Sequence, residues 1–308
     1  MSKIDLSIVI LNYNTKKLAL EALESIEKNY PKELAQELYE VIIADNGSPD
    51  GSLEAFREYK ERSKIKLFRV IDNLRNLGFS SGNNKVIPKA RGRYILFLNP
   101  DTVVYPMTLQ TMVVFMDNHL DCGIATCKVE TPTGNIDEAS HRGFPTPWNA
   151  FCHFSGLEKM FPKSHLFSGY IQGWKDMKTT HEVDAVVGAF MLIRREVGDE
   201  IGWWDEDYSF YGEDLQFCFD VKKRRYKIYY VPEVRILHYG GVSSGIKKHT
   251  SHITTADIEH RKKVQGWRFS AMRTFYKKNY KDKYPSILNW LVFRGIDYLY
   301  KRNLPKVK

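Results

Sequence analysis

The first hundred residues alternate between short, continuous apolar runs and longer segments that place an apolar residue at every third or fourth position. The runs are typical of strands buried on both faces, and the longer segments are typical of amphipathic helices. This pattern predicts strands at 6–11, 41–44, 66–71 and 94–98. It predicts helices at about 16–29, 53–62 and 81–90, with Thr15 as the N-cap of the first. Strands that alternate with helices indicate an α/β protein with a mainly parallel sheet and helices on both faces.

The second half of the chain shows a weaker pattern. Residues 121–180 are rich in Gly, Pro, His and aromatic side chains, which predicts short strands and long loops. A buried strand is expected over 183–195, with Gly188 in its middle. A glycine inside a strand often marks a close approach by a ligand or by another part of the backbone. Two further strands, separated by a proline, are expected at 226–231 and 234–237.

Polar residues follow three of the predicted strands at the point where each strand ends. The first strand runs into Asn12–Asn14, the second into Asp45, and the fourth into Asn99 and Asp101. The carboxyl ends of parallel strands share one edge of a sheet, and ligands of open α/β sheets bind in the crevice at that edge. Asp45 and Asp101 are therefore expected to face one pocket. Each acid taken alone could instead cap the helix or turn that follows it.

Two more acids and a histidine stand beside predicted elements of the second half. Glu213 and Asp214 open a helix expected over about 211–224, where the helix dipole favours negative charge. They are either helix-terminal carboxylates without a chemical role, or a general base aimed into the crevice. His238 follows the last predicted strand. It is either a structural histidine or a further member of a metal site.

Length and cysteine content limit the possible classes of protein. The chain has 308 residues, enough for one large domain or two small ones without disulfide or metal staples. Its four cysteines form no C-x-x-C pair, so we expect reduced thiols and a cytosolic location. No uncharged stretch reaches the length of a membrane-spanning helix, and the first residues lack the layout of a signal peptide.

Two common phosphate-binding motifs are absent from the sequence. No G-x-G-x-x-G follows the first strand, and no G-x-x-x-x-G-K-[ST] occurs. A dinucleotide-dependent dehydrogenase and a P-loop enzyme are thereby disfavoured. If the sheet binds a nucleoside diphosphate, another group must neutralise the phosphates. A divalent cation held by a carboxylate suits that task, because hard cations prefer carboxylate and phosphate oxygens.

With these residues assembled, the chain resembles the family 2 nucleotide-sugar glycosyltransferases, whose fold is the Rossmann-like GT-A fold. Six segments in the right order carry the resemblance: Ser7–Asn14, Ile43–Ser48, Asn76–Asn84, Leu96–Asp101, Val187–Ile193 and Phe210–Asp214. Together they extend from about residue 6 to residue 239, most of the protein. The Asn-Pro-Asp version of the fourth segment, the Gly-Ala-Phe-Met-Leu stretch of the fifth, and His238 look most like bacterial rhamnosyltransferases that build cell-surface polysaccharides.

The resemblance implies roles in binding a nucleotide-sugar donor. Asp45 would accept a hydrogen bond from N3–H of uracil or thymine, and Tyr13 would lie against that base. The other residues implied to contact the donor are Asn76, Gly78, Asn83, Asn99, Asp101 and Gly188.

The resemblance also implies a site for Mg²⁺ or Mn²⁺. Asn99 and Asp101 would stand for the metal-binding Asp-x-Asp of the family, and His238 would match a metal-ligating histidine of related enzymes. Because the first acid is replaced by Asn99, Asp101 alone supplies the carboxylate charge. This departure would either weaken the affinity for the metal ion or make metal binding depend more on His238 and the diphosphate.

The catalytic residues implied by the resemblance are Asp214, as the base, and Glu213 beside it, while Trp203 and Trp204 would help to form the acceptor pocket. We expect an inverting enzyme, because a base that takes the acceptor proton during attack opposite the leaving group needs no covalent intermediate. The expected donor is dTDP-rhamnose, and the expected acceptor is a saccharide or a polyprenyl-diphosphate-linked saccharide. The alternatives are a UDP-sugar enzyme of the same fold, or an inactive nucleotide-sugar-binding scaffold.

The net charge of +9 is concentrated at the end of the chain, where residues 261–308 hold 14 Lys or Arg against two acids. We therefore divide the chain into a catalytic domain, 1–245, and a helical, basic and aromatic extension, 246–308. The extension either lies on an anionic membrane, packs on the catalytic body with a solvated basic face, or forms a homodimer. Nucleic acid is not an expected partner, since no recognition motif accompanies the basic residues. We expect a cytoplasmic protein that is peripheral on the inner face of the cell membrane.

Overall fold

One sheet with helices on both faces organises the part of the chain that the computed structural model describes, residues 4–208, 210–241 and 258–303. Its strands are β1 (Leu6–Asn12), β2 (Tyr39–Asp45), β3 (Phe68–Asp72), β4 (Tyr94–Leu98), β5 (Thr102–Val104), β6 (Cys122–Glu130), β7 (His181–Val183), β8 (Phe190–Arg194) and β9 (Lys227–His238). The helices are α1 (Lys16–Asn29), α2 (Pro31–Ala35), α3 (Ser52–Arg62), α4 (Phe79–Asn84), α5 (Thr108–Asn118), α6 (Pro147–Ser155), α7 (Leu157–Met160), α8 (Arg195–Ile201), α9 (Glu213–Lys223), α10 (Ile258–Asn279) and α11 (Ser286–Asn303).

The sheet is parallel in one half and mixed in the other. The strands β3, β2, β1 and β4 lie side by side in that order and run parallel. The strand β8 then pairs antiparallel with β4, and the order continues through β6, β9 and β5, while β7 also pairs with β9. The expectation of a mainly parallel sheet is therefore confirmed for the first four strands. It does not extend to the rest of the sheet, where β5, β7 and β8 run antiparallel to their neighbours.

Each face of the sheet carries its own core, which explains the uninterrupted apolar runs of the sequence. In β1, Ile8 and Ile10 face a core built with α1, α3 and α5, whereas Val9 faces a second core built with α8 and α9. Successive residues of a strand point to opposite faces, so a strand covered on both faces is apolar at every position. Burial of both faces also fixes the strand register, and with it the place of the polar residues at the strand ends.

Two helix predictions for the first half need correction. The helix α1 begins where it is predicted, with Thr15 at the N-cap position, but the Thr15 side chain makes no capping hydrogen bond; its hydroxyl donates to Asn12 Oδ1 at 2.7 Å and ties the helix to the end of β1. The helix predicted over 81–90 is the shorter α4, followed by a separate 3₁₀ turn at Ile87–Lys89. The turn contains Pro88, which has no N–H to extend an α-helical ladder.

Three predictions for the second half also need correction. The loop-rich segment 121–180 contains a nine-residue strand, β6. The strand predicted over 183–195 is broken, so that Gly188 lies in the connection between β7 and β8. The two strands predicted on either side of Pro232 are one strand, β9, because Pro232 falls where the pairing with β6 shifts register. A proline is tolerated there, since no ladder hydrogen bond requires its missing N–H.

The C-terminal helices pack on the rest of the described chain through one face of α10. A small aromatic core joins them, and its buried members are Tyr208, Ala271, Phe275, Tyr276 and Tyr280. Lys278 adds ion pairs with Asp205 at 2.5 Å and Asp207 at 2.6 Å. The expected domain boundary between residues 245 and 246 lies outside the described residues. None of the helices in the described ranges combines the length and the apolar character needed to cross a bilayer.

Candidate active site

A cavity of about 1620 Å³ opens where β1, β4 and β9 end. Nine of the residues singled out in the sequence line it, namely Tyr13, Asn76, Gly78, Asn99, Asp101, Gly188, Glu213, Asp214 and His238. A Cβ at Gly188 would meet only the Phe79 side chain, at 3.7 Å, so the surrounding protein leaves space there. The cavity thus lies at the sheet edge where open α/β sheets bind their ligands.

Asp101 and His238 meet because β5 pairs with β9. The antiparallel register sets Thr102 opposite His238, so the residue before β5 lies next to the last residue of β9. His238 Nε2 lies 3.3 Å from Asp101 Oδ1 and 3.4 Å from Asn99 Nδ2. Asp101 Oδ2 also accepts a hydrogen bond from the Gly240 N–H at 3.1 Å. The two residues predicted to bind a metal ion are therefore neighbours.

Burial and charge act in opposite directions on this pair. Burial disfavours the charged form of His238, but the carboxylates of Asp101 and Asp137 outweigh it and raise the pKa of His238 to about 9. Burial likewise opposes ionisation of Asp101, but His238 and the Gly240 N–H prevail and lower the pKa of Asp101. His238 Nδ1 lies 3.7 Å from Asp137 Oδ2. In the absence of a cation, His238 and Asp101 form a buried ion pair.

The donor atoms around His238 fit a divalent cation as an incomplete ligand set. Asp101 offers a carboxylate oxygen and His238 an imidazole nitrogen, and Asn99 lies on the same wall. Within the described ranges, no group of three or more His, Cys, Asp or Glu side chains is placed to hold a metal ion. A cation here would depend on oxygens from a diphosphate or from water for its remaining ligands, and it would require His238 to be neutral.

Glu213 and Asp214 begin α9, and the charge of Asp214 is balanced by Arg142, a residue that the sequence motifs do not mark. Arg142 Nη2 donates to Asp214 Oδ2 at 2.6 Å, and both side chains are only 13% exposed. The backbone of Arg142 pairs with that of Ala185, which fixes it beside the segment that leads into β8. The partners lie 72 positions apart, so no local pattern could connect them. The ion pair orients the Asp214 carboxylate in the cavity wall.

Glu213 has different surroundings from Asp214. Its Oε2 atom is buried and has no hydrogen-bond partner among the residues that the structure describes. Burial, and secondarily the charge of Asp214, raise the pKa of Glu213 to about 8. A carboxylic acid with that pKa is protonated at neutral pH and can donate a hydrogen bond to a ligand. Of the two neighbouring acids, Asp214 is therefore the candidate base.

A network of amide side chains forms the wall of the cavity near Tyr13. Asn46 lies at its centre and donates to Asn76 Oδ1 at 3.0 Å and to the Gly78 carbonyl at 3.1 Å. Its Oδ1 accepts a hydrogen bond from Asn73 Nδ2 at 3.2 Å. The sequence analysis gave roles to Asn76 and Gly78 but none to Asn46, although Asn46 lies in the segment Ile43–Ser48 directly after β2. The network fixes the loop that follows β3 against the end of β2.

Two of the predicted donor-site residues lie behind this wall rather than on it. Asp45 is buried, and its carboxylate accepts hydrogen bonds from Asn12 Nδ2 at 2.9 Å and from the Ser48 N–H at 2.8 Å. Asn83 is buried in α4 and donates to the Phe79 carbonyl at 3.0 Å. Both side chains support the residues that line the cavity.

The two tryptophans expected in an acceptor pocket are placed elsewhere. Trp204 is 2% exposed and packs edge-on against Phe79 and Phe97 in the core behind the cavity. Trp203 packs on the same core and donates its indole N–H to Asp199 at 2.9 Å. A turn with positive φ at Gly202 and Trp203 precedes the inward-facing ring of Trp204. Neither tryptophan lines the cavity, so their placement does not agree with a role in contacting an acceptor.

The remainder of the cavity is mainly apolar and is formed by elements that the sequence did not connect with the site. The helices α6, α10 and α11 supply it, with side chains that include Phe151, Phe154, Met272, Phe275, Leu291 and Ile296. The cavity therefore combines a charged part at the sheet edge with an apolar part between helices.

Replacement of Arg142 by Met is expected to lower the free energy of unfolding by about 3–5 kcal/mol, because it leaves the buried charge of Asp214 uncompensated. Urea unfolding measures the change. The control is Arg224→Met, since Arg224 pairs with Glu200 at an exposed site and its loss should cost less than about 1 kcal/mol. Adding Asp214→Asn to Arg142→Met should restore part of the stability. Equally small effects of Arg142→Met and Arg224→Met would contradict the role of the buried pair.

The raised pKa of Glu213 predicts a stability that falls as the pH rises. The unfolded chain loses this proton near the ordinary value of 4.5, whereas the folded chain keeps it until about pH 8. Between these values the folded state binds more protons, so the free energy of unfolding decreases by up to about 1.4 kcal/mol per pH unit. Glu213→Gln is neutral and similar in shape, and it should remove this part of the slope. Urea unfolding at several pH values tests this, and an unchanged slope in Glu213→Gln would refute it.

Comparison with known proteins gives the site its context. The family model "Glycosyl transferase family 2" matches residues 7–202. An uncharacterised glycosyltransferase of Methanocaldococcus jannaschii is 33% identical over 122 residues, 39% of this chain and 40% of the relative. The rhamnosyltransferase WbbL of Escherichia coli K12 is 25% identical over 171 residues, 53% of this chain and 61% of the relative. The N-acetylglucosaminyl-diphospho-decaprenol L-rhamnosyltransferase of Mycobacterium tuberculosis is 23% identical over 216 residues, 67% of this chain and 68% of the relative.

The fold is shared with solved glycosyltransferase structures. The crystal structure of GalNAc-T7 with UDP, GalNAc and Mn²⁺ matches with a TM-score of 0.58 at 17% identity, over 90% of this chain and 58% of that one. This likeness confirms the GT-A fold expected from the sequence motifs. The chain spans less than two thirds of the length of the first two relatives. Because the family model matches more than half of the residues, the chain belongs to glycosyl transferase family 2.

Proposed function

We propose that the protein is an inverting, metal-dependent enzyme that transfers rhamnose from dTDP-rhamnose to an acceptor in the synthesis of a cell-surface polysaccharide. The observation that carries the proposal is that Asp214, a candidate base, lines the same cavity as Asp101 and His238, a candidate cation site. Transfer from a nucleoside diphosphate to a hydroxyl is assisted by both kinds of group, one for the departing charge and one for the proton. The names of two relatives, both rhamnosyltransferases, support the choice of sugar.

Asp214 would take the proton of the attacking acceptor hydroxyl. Arg142 holds the Asp214 carboxylate at 2.6 Å and limits its orientations. Glu213 stays protonated at neutral pH and offers a hydrogen bond without adding a second negative charge. A positioned general base contributes about 10²–10⁴ in rate. Attack opposite the leaving group inverts the anomeric carbon and requires no enzyme nucleophile.

Asp101 and His238, with Asn99 beside them, would hold Mg²⁺ or Mn²⁺. When bound, the cation offsets the negative charge that develops on the leaving diphosphate. The 3.3 Å separation of Asp101 and His238 supports a shared ion, and so does the Mn²⁺ of the GalNAc-T7 structure. Because the cation competes with the proton of His238, acid should weaken its binding.

The amide network around Asn46 would hold the nucleotide, and Tyr13 lines the cavity where its ring can lie against the base. Asp45 lies behind this wall, so it would hold the wall in place rather than accept the N3–H of the base. Its present partners, Asn12 and the Ser48 N–H, would then keep the carboxylate in place.

The acceptor would be a saccharide linked to a polyprenyl diphosphate. The cavity of about 1620 Å³ is larger than the roughly 300–1,000 Å³ typical of small-ligand pockets. Its apolar part, between α6, α10 and α11, suits a lipid chain better than a sugar. The name of the Mycobacterium relative includes a decaprenol-linked acceptor and supports this class. Such an acceptor would place the protein at the cytoplasmic face of the membrane, in contact through residues 261–308.

Asp214→Asn is expected to lower turnover by about 10²–10⁴ while donor binding remains, because the carboxamide keeps the shape but cannot accept the proton. Release of dTDP from dTDP-rhamnose in the presence of Mn²⁺ measures turnover, and calorimetry with dTDP measures binding. Asp207→Asn is the control, since Asp207 is a carboxylate outside the cavity that pairs with Lys278. Full activity of Asp214→Asn would remove Asp214 from the mechanism.

A panel of dTDP- and UDP-sugars tests the donor by thermal shift in the presence of Mn²⁺. A ligand that binds only the folded state raises the melting temperature with its concentration, so dTDP-rhamnose should give the largest shift. Asp101→Ala should abolish the part of the shift that depends on Mn²⁺. A larger shift with a UDP-sugar would refute the donor, and unchanged Mn²⁺ dependence in Asp101→Ala would refute the cation site.

A further inference from the structure

The mouth of the cavity is bordered by large apolar side chains that face solvent. The helix α6 contributes Trp148, Phe151 and Phe154, and α11 contributes Leu291 and Tyr298. Each of these five lines the cavity and is at least 44% exposed. Single exposed apolar residues are ordinary, but a group of them around a functional cavity marks an interaction surface.

The helix α11 extends this border beyond the cavity. Ile287 and Trp290 are 67% and 54% exposed, and they lie outside the cavity lining. Trp290, Leu291 and Tyr298 lie three, four and eleven positions after Ile287, which places all four on one face of the helix. The side chain of Ile296 is buried instead. The helix therefore presents an apolar face to solvent as well as an apolar face to the protein.

Basic side chains accompany the border. Residues 258–303 carry twelve Lys or Arg against three acids. Arg268 and Arg302 are exposed and line the cavity, and the Arg294 guanidinium lies 5.6 Å from the centre of the Trp290 ring. Exposed aromatic rings next to Lys and Arg side chains are characteristic of proteins that bind anionic bilayers. A second copy of the chain would bring the same positive charge against this face, which charge repulsion opposes.

We infer that the border of the cavity sits on an anionic phospholipid membrane, with α6 and α11 both inserted in the interfacial region. The mouth then opens toward the lipid surface. This arrangement differs from membrane contact through the basic extension alone, because α6 lies in the expected catalytic domain, 1–245. The inference rests on the proposed function, in which the acceptor is lipid-linked: its saccharide and the adjoining part of its polyprenyl chain enter the cavity, while the rest of the chain remains in the bilayer.

Co-sedimentation of the full chain with vesicles, without any donor, tests the inference. At low salt the protein should pellet with phosphatidylglycerol vesicles and remain in the supernatant with phosphatidylcholine vesicles. Phe151→Ser on α6 and Trp290→Ser on α11 should each weaken binding about tenfold, because each removes one inserted ring.

The matched control is Leu120→Ser. Leu120 is exposed and lies just before β6, which runs parallel to β9. Since β9 ends at the cavity, Leu120 lies at the opposite edge of the sheet, and Leu120→Ser should bind vesicles like the wild type. Thermal unfolding verifies that each variant is folded.

Three results would overturn the inference. The first is equal binding to both kinds of vesicle, or binding to neither. The second is vesicle binding by Phe151→Ser that is as strong as that of the wild type. The third is a dimer in sedimentation velocity that Trp290→Ser dissociates without loss of vesicle binding. Hydrolysis of dTDP-rhamnose by the same samples separates the two hypotheses. Hydrolysis without vesicle binding overturns only the inferred membrane contact of α6 and α11. Vesicle binding without hydrolysis supports that membrane contact and counts against the proposed function.

Discussion

The pairing of β5 with β9 is the constraint on which the site depends. It sets Thr102 opposite His238 and so brings Asp101 within 3.3 Å of the imidazole. A slip of one residue would turn every side chain of the strand to the other face of the sheet and leave a buried acid without its partner. Removal of one member of a buried pair costs several kcal/mol, whereas a well-packed apolar pair would often be at least as stable. The charged pair therefore makes most sense as part of a ligand site.

The acids at the start of α9 are accommodated by a second set of charges. Arg142 neutralises Asp214, and Glu213 avoids a further charge by remaining protonated. The cavity wall consequently holds paired charges before any ligand binds. A diphosphate that enters adds negative charge that these pairs do not balance, which is a physical reason to expect a cation beside Asp101.

The parts of the fold that could be predicted are those that depend on local pattern. The strand ends followed by Asn99 and Asp101 were recognisable, because parallel strands buried on both faces have a distinct apolar signature and their ends share an edge. Arg142 was missed because its partner lies 72 positions away. Trp204 was misplaced because its side chain turns into the core, which the spacing of aromatic residues cannot reveal. The continuity of β9 through Pro232 depends on a register shift that only the paired strand defines.

The two parts of the cavity impose different demands on one site. A nucleotide sugar is soluble and strongly charged, so under the proposed function the amides and charges at the sheet edge would recognise it. A lipid-linked acceptor cannot leave the bilayer far enough to reach a site deep in a soluble body. An enzyme that joins the two must bring its charged wall close to the membrane surface while keeping that wall out of the hydrocarbon, where charges are costly. An apolar mouth between α6 and α11, with Arg268 and Arg302 at its border, would meet both demands, since the apolar side chains would enter the interface and the arginines would stay at the level of the phosphates.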